Sequence, residues 1–268
     1  MIVAHTPDAD DAFMFYAMVE GKIETNLKID HLIEDIETLN RMAFEGKLDV
    51  TALSLHAYAY LDDRYRILSS GASVGEGYGP IVVAREEMSL EGRRIAIPGR
   101  YTTANLLLKM ALKDFKPIEM RFDEVINAVK SGKVDAGLLI HEGQITYETH
   151  GLVKVLDLWE FWNDLTSLPL PLGVNVIRRD IEEEKQREFL RAMRESIRYA
   201  LDHVDEAVDY AMRYSRGMSR ELVKKFALMY VNEYTYEMPK KVVRAIETLF
   251  EIAEENGILK KPKLDILF

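Results

Sequence analysis

The chain has 268 residues, 48% apolar and 30% charged, which is enough to bury the core of one large domain or of two lobes. A formal net charge of -10 argues against a nucleic-acid or anionic-membrane surface, and the absence of cysteine excludes disulfides and thiolate metal sites. No apolar run approaches the roughly 20 residues that span a bilayer, and Met1-Ile2-Val3-Ala4-His5 enters a strand-like run with no basic leader, so a cytoplasmic protein is expected.

From Met1 to Ala84 apolar strands alternate with amphipathic helices, the pattern of a mostly parallel sheet with covering helices. The spacing predicts strands over Ile2–His5, Leu27–Leu32, Asp49–Leu53 and Ile67–Ser70, and helices over Asp11–Glu20, Ile36–Glu45 and His56–Leu61. The polar stretch Glu86–Gly92 reads as the passage into a second lobe. There the expected strands are Arg94–Ile97, Ile118–Phe122, Ala136–Ile140 and Val153–Leu156, with helices over Thr103–Phe115 and Asp123–Lys130 and a short turn at Gly143–Tyr147. After Pro169-Leu170-Pro171-Leu172-Gly173 a strand over Val174–Ile177 returns the chain to the first lobe. From Ile181 onward the pattern is helical, with breaks near His203, Gly217 and Pro239. The result is an α/β chain of two lobes, 1–86 with 175–268 and 87–174, with a ligand cleft between them and a C-terminal helical segment on the first lobe. Glu45-Gly46-Lys47-Leu48-Asp49-Val50 and Ser131-Gly132-Lys133-Val134-Asp135-Ala136 each end a helix and open a strand; related lobes and ordinary turn chemistry both account for this.

Strand ends supply the candidate chemistry. His141 follows the apolar run Ala136–Ile140, at the carboxyl end where open α/β sheets bind ligands, and an imidazole there can act as a general base or simply be satisfied by the backbone. Ser54 ends the matching strand of the first lobe; with no G-x-S-x-G elbow around it, it reads as a ligand hydrogen-bonder and not as a nucleophile. In Pro98-Gly99-Arg100-Tyr101-Thr102-Thr103-Ala104-Asn105 a strand runs into a helix, so the amides of Thr103 and Ala104 and the hydroxyls of Thr102 and Thr103 face the cleft and suit a carboxylate. Thr102 can cap that helix at the same time. Asp8, Asp10 and Asp11 resemble a hard-metal cluster, but one short turn offers too few oxygen ligands, and helix capping is the expectation for Asp10 or Asp11. Gly75-Glu76-Gly77-Tyr78-Gly79-Pro80 precedes a strand, whereas phosphate-cradling loops open a helix, so it reads as a flexible turn. Trp159 with Trp162 reads as a lid or core contact, and Tyr230, Tyr234 and Tyr236 as helix packing.

Nearly the whole chain resembles the 1,4-dihydroxy-6-naphthoate synthases of the futalosine route to menaquinone. The matching residues are Thr6-Pro7 with Asp11 and Phe13, Glu34–Asn40, Gly79–Ala84, Pro98-Gly99 with Thr102-Thr103-Ala104, Ile140-His141-Glu142 with Thr146-Tyr147, and Leu168–Gly173. The resemblance implies a type II periplasmic-binding-protein-like fold and a cytoplasmic carbon-carbon lyase that acts on cyclic dehypoxanthine futalosine. It places the catalytic base on His141 and substrate contacts on Ala52, Leu53, Ser54, Thr103 and Ala104, with Asn40 and Pro7 nearby. Such chemistry needs one base and an electron sink already in the substrate, so no metal and no organic cofactor is expected, and Glu142 or a backbone group is expected to orient the ring. The partner is a small carboxylate substrate, with no nucleic acid or membrane, and the protein is expected to be a monomer. The sister chorismate dehydratases share the fold but not Ile140-His141-Glu142. A non-catalytic carboxylate-binding protein of the same fold, or a ligand-sensing domain, is the other reading of the residues.

Overall fold

The computed structural model describes residues 1–268. Five short strands come first: β1 (Ile2–His5), β2 (Asp30–Ile33), β3 (Val50–Ser54), β4 (Tyr65–Leu68) and β5 (Ser73–Gly75). They are followed by β6 (Ile81–Ala84), β7 (Arg94–Ile97), β8 (Lys116–Glu119), β9 (Ala136–Leu139) and β10 (Val153–Asp157), and then by β11 (Leu170–Arg178) and β12 (Ile266–Leu267). The first sheet has the order β12-β4-β11-β3-β1-β2 with β5 also on β11; the second has the order β10-β6-β9-β7-β8. The inner strands are apolar on both faces, and all five residues of β3 and all four of β6 and β9 are buried between covering helices.

The mostly parallel pattern holds with one exception in each sheet: β11 alone runs against the other strands of the first sheet, antiparallel to β3, β4 and β5, and β6 alone runs against those of the second, antiparallel to β9 and β10. These are the strands on which the chain arrives from the other sheet, so no strand-helix-strand crossover within one sheet dictates a parallel direction for them. One expectation changes: the passage between lobes comes earlier than Glu86–Gly92. Ile81–Ala84 pairs with Ala136–Leu139 in the second sheet, so the first lobe gives way to the second along 75–80, and β11 has rejoined the first sheet by Leu170. Glu86–Gly92 is polar because it is an exposed loop within the second lobe, and polarity reports solvent rather than a change of sheet.

Helix α1 (Ala9–Val19) is buried from Ala9 to Met18, enclosed by the C-terminal helices Glu183–Asp202, Val204–Ala211 and Arg220–Tyr230. His203 and Pro239 mark the breaks in that segment, and Gly217 adopts a left-handed turn (φ 87°). The helical pattern does not run to the end, because Ile266–Leu267 pairs beside β4. A second core cluster runs through both lobes, from Leu53, Tyr58 and Val174 to Val82, Ile95, Leu106 and the fully buried Trp162. Helix α2 (Ile36–Phe44), followed after β3 by the short helix α3 (Leu55–Tyr58), crosses the gap with side chains: Glu37 Oε2 accepts from Tyr101 N–H at 3.0 Å, and Arg41 pairs with Glu119 at 2.5 Å.

Candidate functional site

Between the sheets lies a cleft lined by residues of both lobes. Its walls come from strand ends and helix starts of both lobes, where the backbone leaves regular hydrogen bonding and presents free donors.

One end of the cleft is built for an anion. At the start of α4 (Thr103–Ala111) Thr102 Oγ1 accepts from Asn105 N–H at 3.2 Å and donates to Gly99 O at 3.0 Å. That cap leaves the Thr103 and Ala104 amides as the unused donors of the helix start, both residues lining the cleft. The Thr103 hydroxyl does not take part: it donates to Leu172 O. Opposite, Ser54 ends β3. Asn40, fully buried on α2, holds it twice, through Oδ1 to Ser54 N–H at 3.0 Å and through Nδ2 to Ser54 Oγ at 3.1 Å. With its acceptor side engaged, the Ser54 hydroxyl proton is left to point into the cleft. His56 is structural: its Nδ1 lies 3.2 Å from Thr102 O, and burial pulls its imidazole down to about 4.

His141 sits on the opposing lobe edge. His141 follows β9 with φ 53°, a left-handed backbone that costs a non-glycine residue on the order of 1 kcal/mol. Its main chain is held in that turn by Gln144, whose amide, oriented to satisfy both ends, accepts from His141 N–H at 3.1 Å and donates to Gly79 O at 2.7 Å. Its ring Nδ1 lies 3.0 Å from Asp8 Oδ2, a carboxylate buried at the turn after β1. The other oxygen of Asp8 accepts from Arg216 Nη1 and Nη2, each at 3.1 Å, and Arg216 Nη1 continues to Glu142 Oε1 at 2.5 Å. Arg216 is itself in the left-handed region (φ 50°) and stacks over Phe122 at 4.6 Å, while Phe122 meets the His141 ring edge-on at 5.1 Å. The remaining ring nitrogen, Nε2, is buried without a protein partner in a residue that lines the cleft. The 3.0 Å approach of Asp8 to Nδ1 is a charge contact and not an aligned hydrogen bond, since Asp8 Oδ2 has no hydrogen-bond partner; a carboxylate beside Nδ1 still favours the tautomer protonated there, which keeps the lone pair on Nε2, the form required of a base.

Ala52, Leu53, Ser54, Thr102, Thr103, Ala104 and His141 therefore share one cleft. Asn40 stands behind Ser54 as its support, and Pro7 stays outside the lining, between Thr6 and Asp8. Four sequence readings change. The Thr102 and Thr103 hydroxyls do not serve the cleft; they donate to Gly99 O and Leu172 O. Glu142 does not orient the ring; it pairs with Arg216, and Asp8 takes the ring nitrogen. Asp10 and Asp11 do not cap α1: that helix begins at Ala9, and Asp11 Oδ2 accepts from Thr6 N–H at 2.7 Å in the turn before it. Tyr230 is not only packing, since it lines the cleft with its hydroxyl 3.1 Å from the Gln144 amide. Residues that sequence reasoning missed are Arg216, Gln144, Ser73 and Asn175, and Asp8 was singled out only as part of a metal-like cluster and not as the partner of His141. Asn175 had a signal, an amide between Val174 and Val176 in a buried strand; Arg216 had none.

A family model described as menaquinone biosynthesis matches residues 1–255. A Thermus thermophilus protein named 1,4-dihydroxy-6-naphthoate synthase is 44% identical over 254 residues, covering 94% of this chain and 93% of its own. A Streptomyces coelicolor protein of the same name is 34% identical, over 96% and 94%. Among solved structures, a protein of Archaeoglobus fulgidus is 65% identical with a TM-score of 0.95, covering 96% of this chain and 98% of that one. A Candida albicans gene product with the generic periplasmic-binding-protein fold superposes with a TM-score of 0.67 at 14% identity, over 100% and 98%, which shows that the two-lobe fold is shared.

Proposed function

Since the chain belongs to the menaquinone-biosynthesis family and is an enzyme of it, we propose that it is a carbon-carbon lyase that converts cyclic dehypoxanthine futalosine to 1,4-dihydroxy-6-naphthoate, with His141 as the general base. The observation that carries this reading is a cleft imidazole with Asp8 at Nδ1 and a free, buried Nε2.

Each part of the site has a task in that reaction. The aromatic carboxylate sits at the Thr103 and Ala104 amides and the Ser54 hydroxyl, where the start of α4 favours negative charge. Nε2 of His141 removes a proton from a hydroxyl of the sugar-derived part. The hydroxyl oxygen so deprotonated becomes a carbonyl of the released fragment as the carbon-carbon bond joining that part to the ring breaks; the bond's electron pair enters the carbonyl already present in the ring, and the resulting oxyanion takes the proton from the imidazolium to complete the aromatic diol. Asp8 stabilises the imidazolium that forms and fixes the ring's orientation, and Arg216 holds Asp8. The test is to incubate purified protein with cyclic dehypoxanthine futalosine and follow naphthoate by chromatography, with His141→Ala alongside. Product from the parent and none from a folded variant is the expected result. Turnover by His141→Ala removes the base assignment, and tight binding by the parent without product makes the protein a binder on this fold.

A further inference from the structure

The wall of the cleft formed by the first lobe carries polar groups that the reaction above does not use. Asp10, on the first turn of α1, is buried, with Oδ1 unpartnered and Oδ2 accepting from Ser73 Oγ at 3.4 Å. Asn175, on β11, is 1% exposed; its Nδ2 donates to Gly71 O at 2.9 Å, and its Oδ1 has no partner. All of these residues line the cleft. Gly71 makes the arrangement possible, since a Cβ there would lie 2.6 Å from Asn175 Nδ2. Orphaned buried oxygens on two separate elements, both facing one cavity, are unusual in a folded protein, where such groups are paired or wait for a ligand.

We propose that Asp10, Ser73 and Asn175 form a hydroxyl-binding subsite that holds the sugar-derived part of the substrate. This rests on the reaction proposed above. The subsite takes neutral hydroxyl groups because it contains no cation: Asp10 pairs with a serine, and Arg216 is engaged by Asp8 and Glu142. Burial, with Asp11 and Asp8 nearby, pushes the Asp10 carboxyl well up, which favours its protonated form, and that form offers both an O–H donor and a carbonyl acceptor. Asn175 Oδ1 adds an acceptor and Ser73 a second hydroxyl. A vicinal diol can both donate to and accept from such a set, whereas an aromatic ring cannot. The ligand then spans the cleft, with its carboxylate at α4 and its diol at this wall.

The test compares two ligands in calorimetry, with every protein carrying His141→Ala so that the first is not turned over: cyclic dehypoxanthine futalosine, which carries the sugar hydroxyls, and 1,4-dihydroxy-6-naphthoate, which lacks them. Asp10→Leu and Ser73→Ala should each weaken the first by roughly 5- to 100-fold, the loss expected when a buried polar partner is removed, and leave the second within about threefold. Asp10→Asn, which keeps a donor and an acceptor without charge, should bind both within about threefold of the His141→Ala background. Equal weakening of both ligands, or of neither, overturns the subsite. Loss in Asp10→Asn equal to that in Asp10→Leu overturns it too, because it means that an ionised carboxylate is required. Turnover by the parent, with His141 intact, is read separately. Selective weakening alongside a parent that makes no naphthoate leaves the subsite standing and removes the reaction; a parent that neither binds nor converts the futalosine ligand removes both.

Discussion

Replacing Asp8 by asparagine should disable the enzyme more selectively than any other single change at the site. Asp8 touches His141 Nδ1 through Oδ2 at 3.0 Å, and two N–H groups of Arg216 through Oδ1, each at 3.1 Å. An asparagine keeps the size but has one acceptor and one donor end. Turning its NH2 toward Arg216 sets it against two guanidinium donors, so the carbonyl goes to Arg216 and the NH2 faces His141 Nδ1. That nitrogen must then be the acceptor, the proton moves to Nε2, and the base is blocked in the wrong tautomer. A charge-assisted contact of this kind contributes roughly 1.5–3 kcal/mol, and holding the ring in its minor tautomer adds about as much again, so kcat should fall roughly 10²- to 10⁴-fold. KM should change little, because the anion end and the Asp10 wall are untouched. The assay is steady-state naphthoate formation by chromatography for the parent and Asp8→Asn, with a thermal melt to establish folding. A folded Asp8→Asn enzyme with kcat within threefold of the parent refutes the reasoning.

Arg216→Met leaves Asp8 buried without its two N–H donors, and kcat/KM should fall about tenfold or more, read by the same assay. Burial pushes the Glu37 carboxyl from 4.5 up to about 7, so between these values the folded protein binds more protons than the unfolded chain and stability falls as pH rises. Glu37→Gln lacks that titration, so its stability relative to the parent should improve by on the order of 3 kcal/mol from pH 4.5 to pH 8 in denaturant melts; parallel pH profiles would contradict this. Gly137→Ala puts a Cβ 2.5 Å from Val125 Cγ1 and 2.7 Å from Val129 Cγ2, and should lower unfolding free energy by roughly 1–3 kcal/mol, measured by chemical denaturation.

Much of the architecture is local in origin and was therefore readable along the chain. Apolar runs such as Ala136–Ile140 can be satisfied only as buried strands, and the helix start at Thr102-Thr103-Ala104 follows from a capping hydroxyl and free amides within a few residues. The same locality placed His141, Ser54, Thr103 and Ala104 at strand ends and helix starts, and all four line one cleft. The one reversed strand of each sheet and the lobe boundary did not follow. Ile81–Ala84 looks the same in sequence whichever sheet it joins, and its neighbours are Ala136–Leu139, more than fifty residues away. The charge network was out of reach for the same reason. His141, Asp8 and Arg216 come from three distant segments, and an arginine in a C-terminal segment full of arginines carries no mark of the one that turns inward. Local propensity and burial pattern determine elements and the chemistry at their ends; which charge meets which is decided only when long-range packing brings those ends into one low-dielectric space.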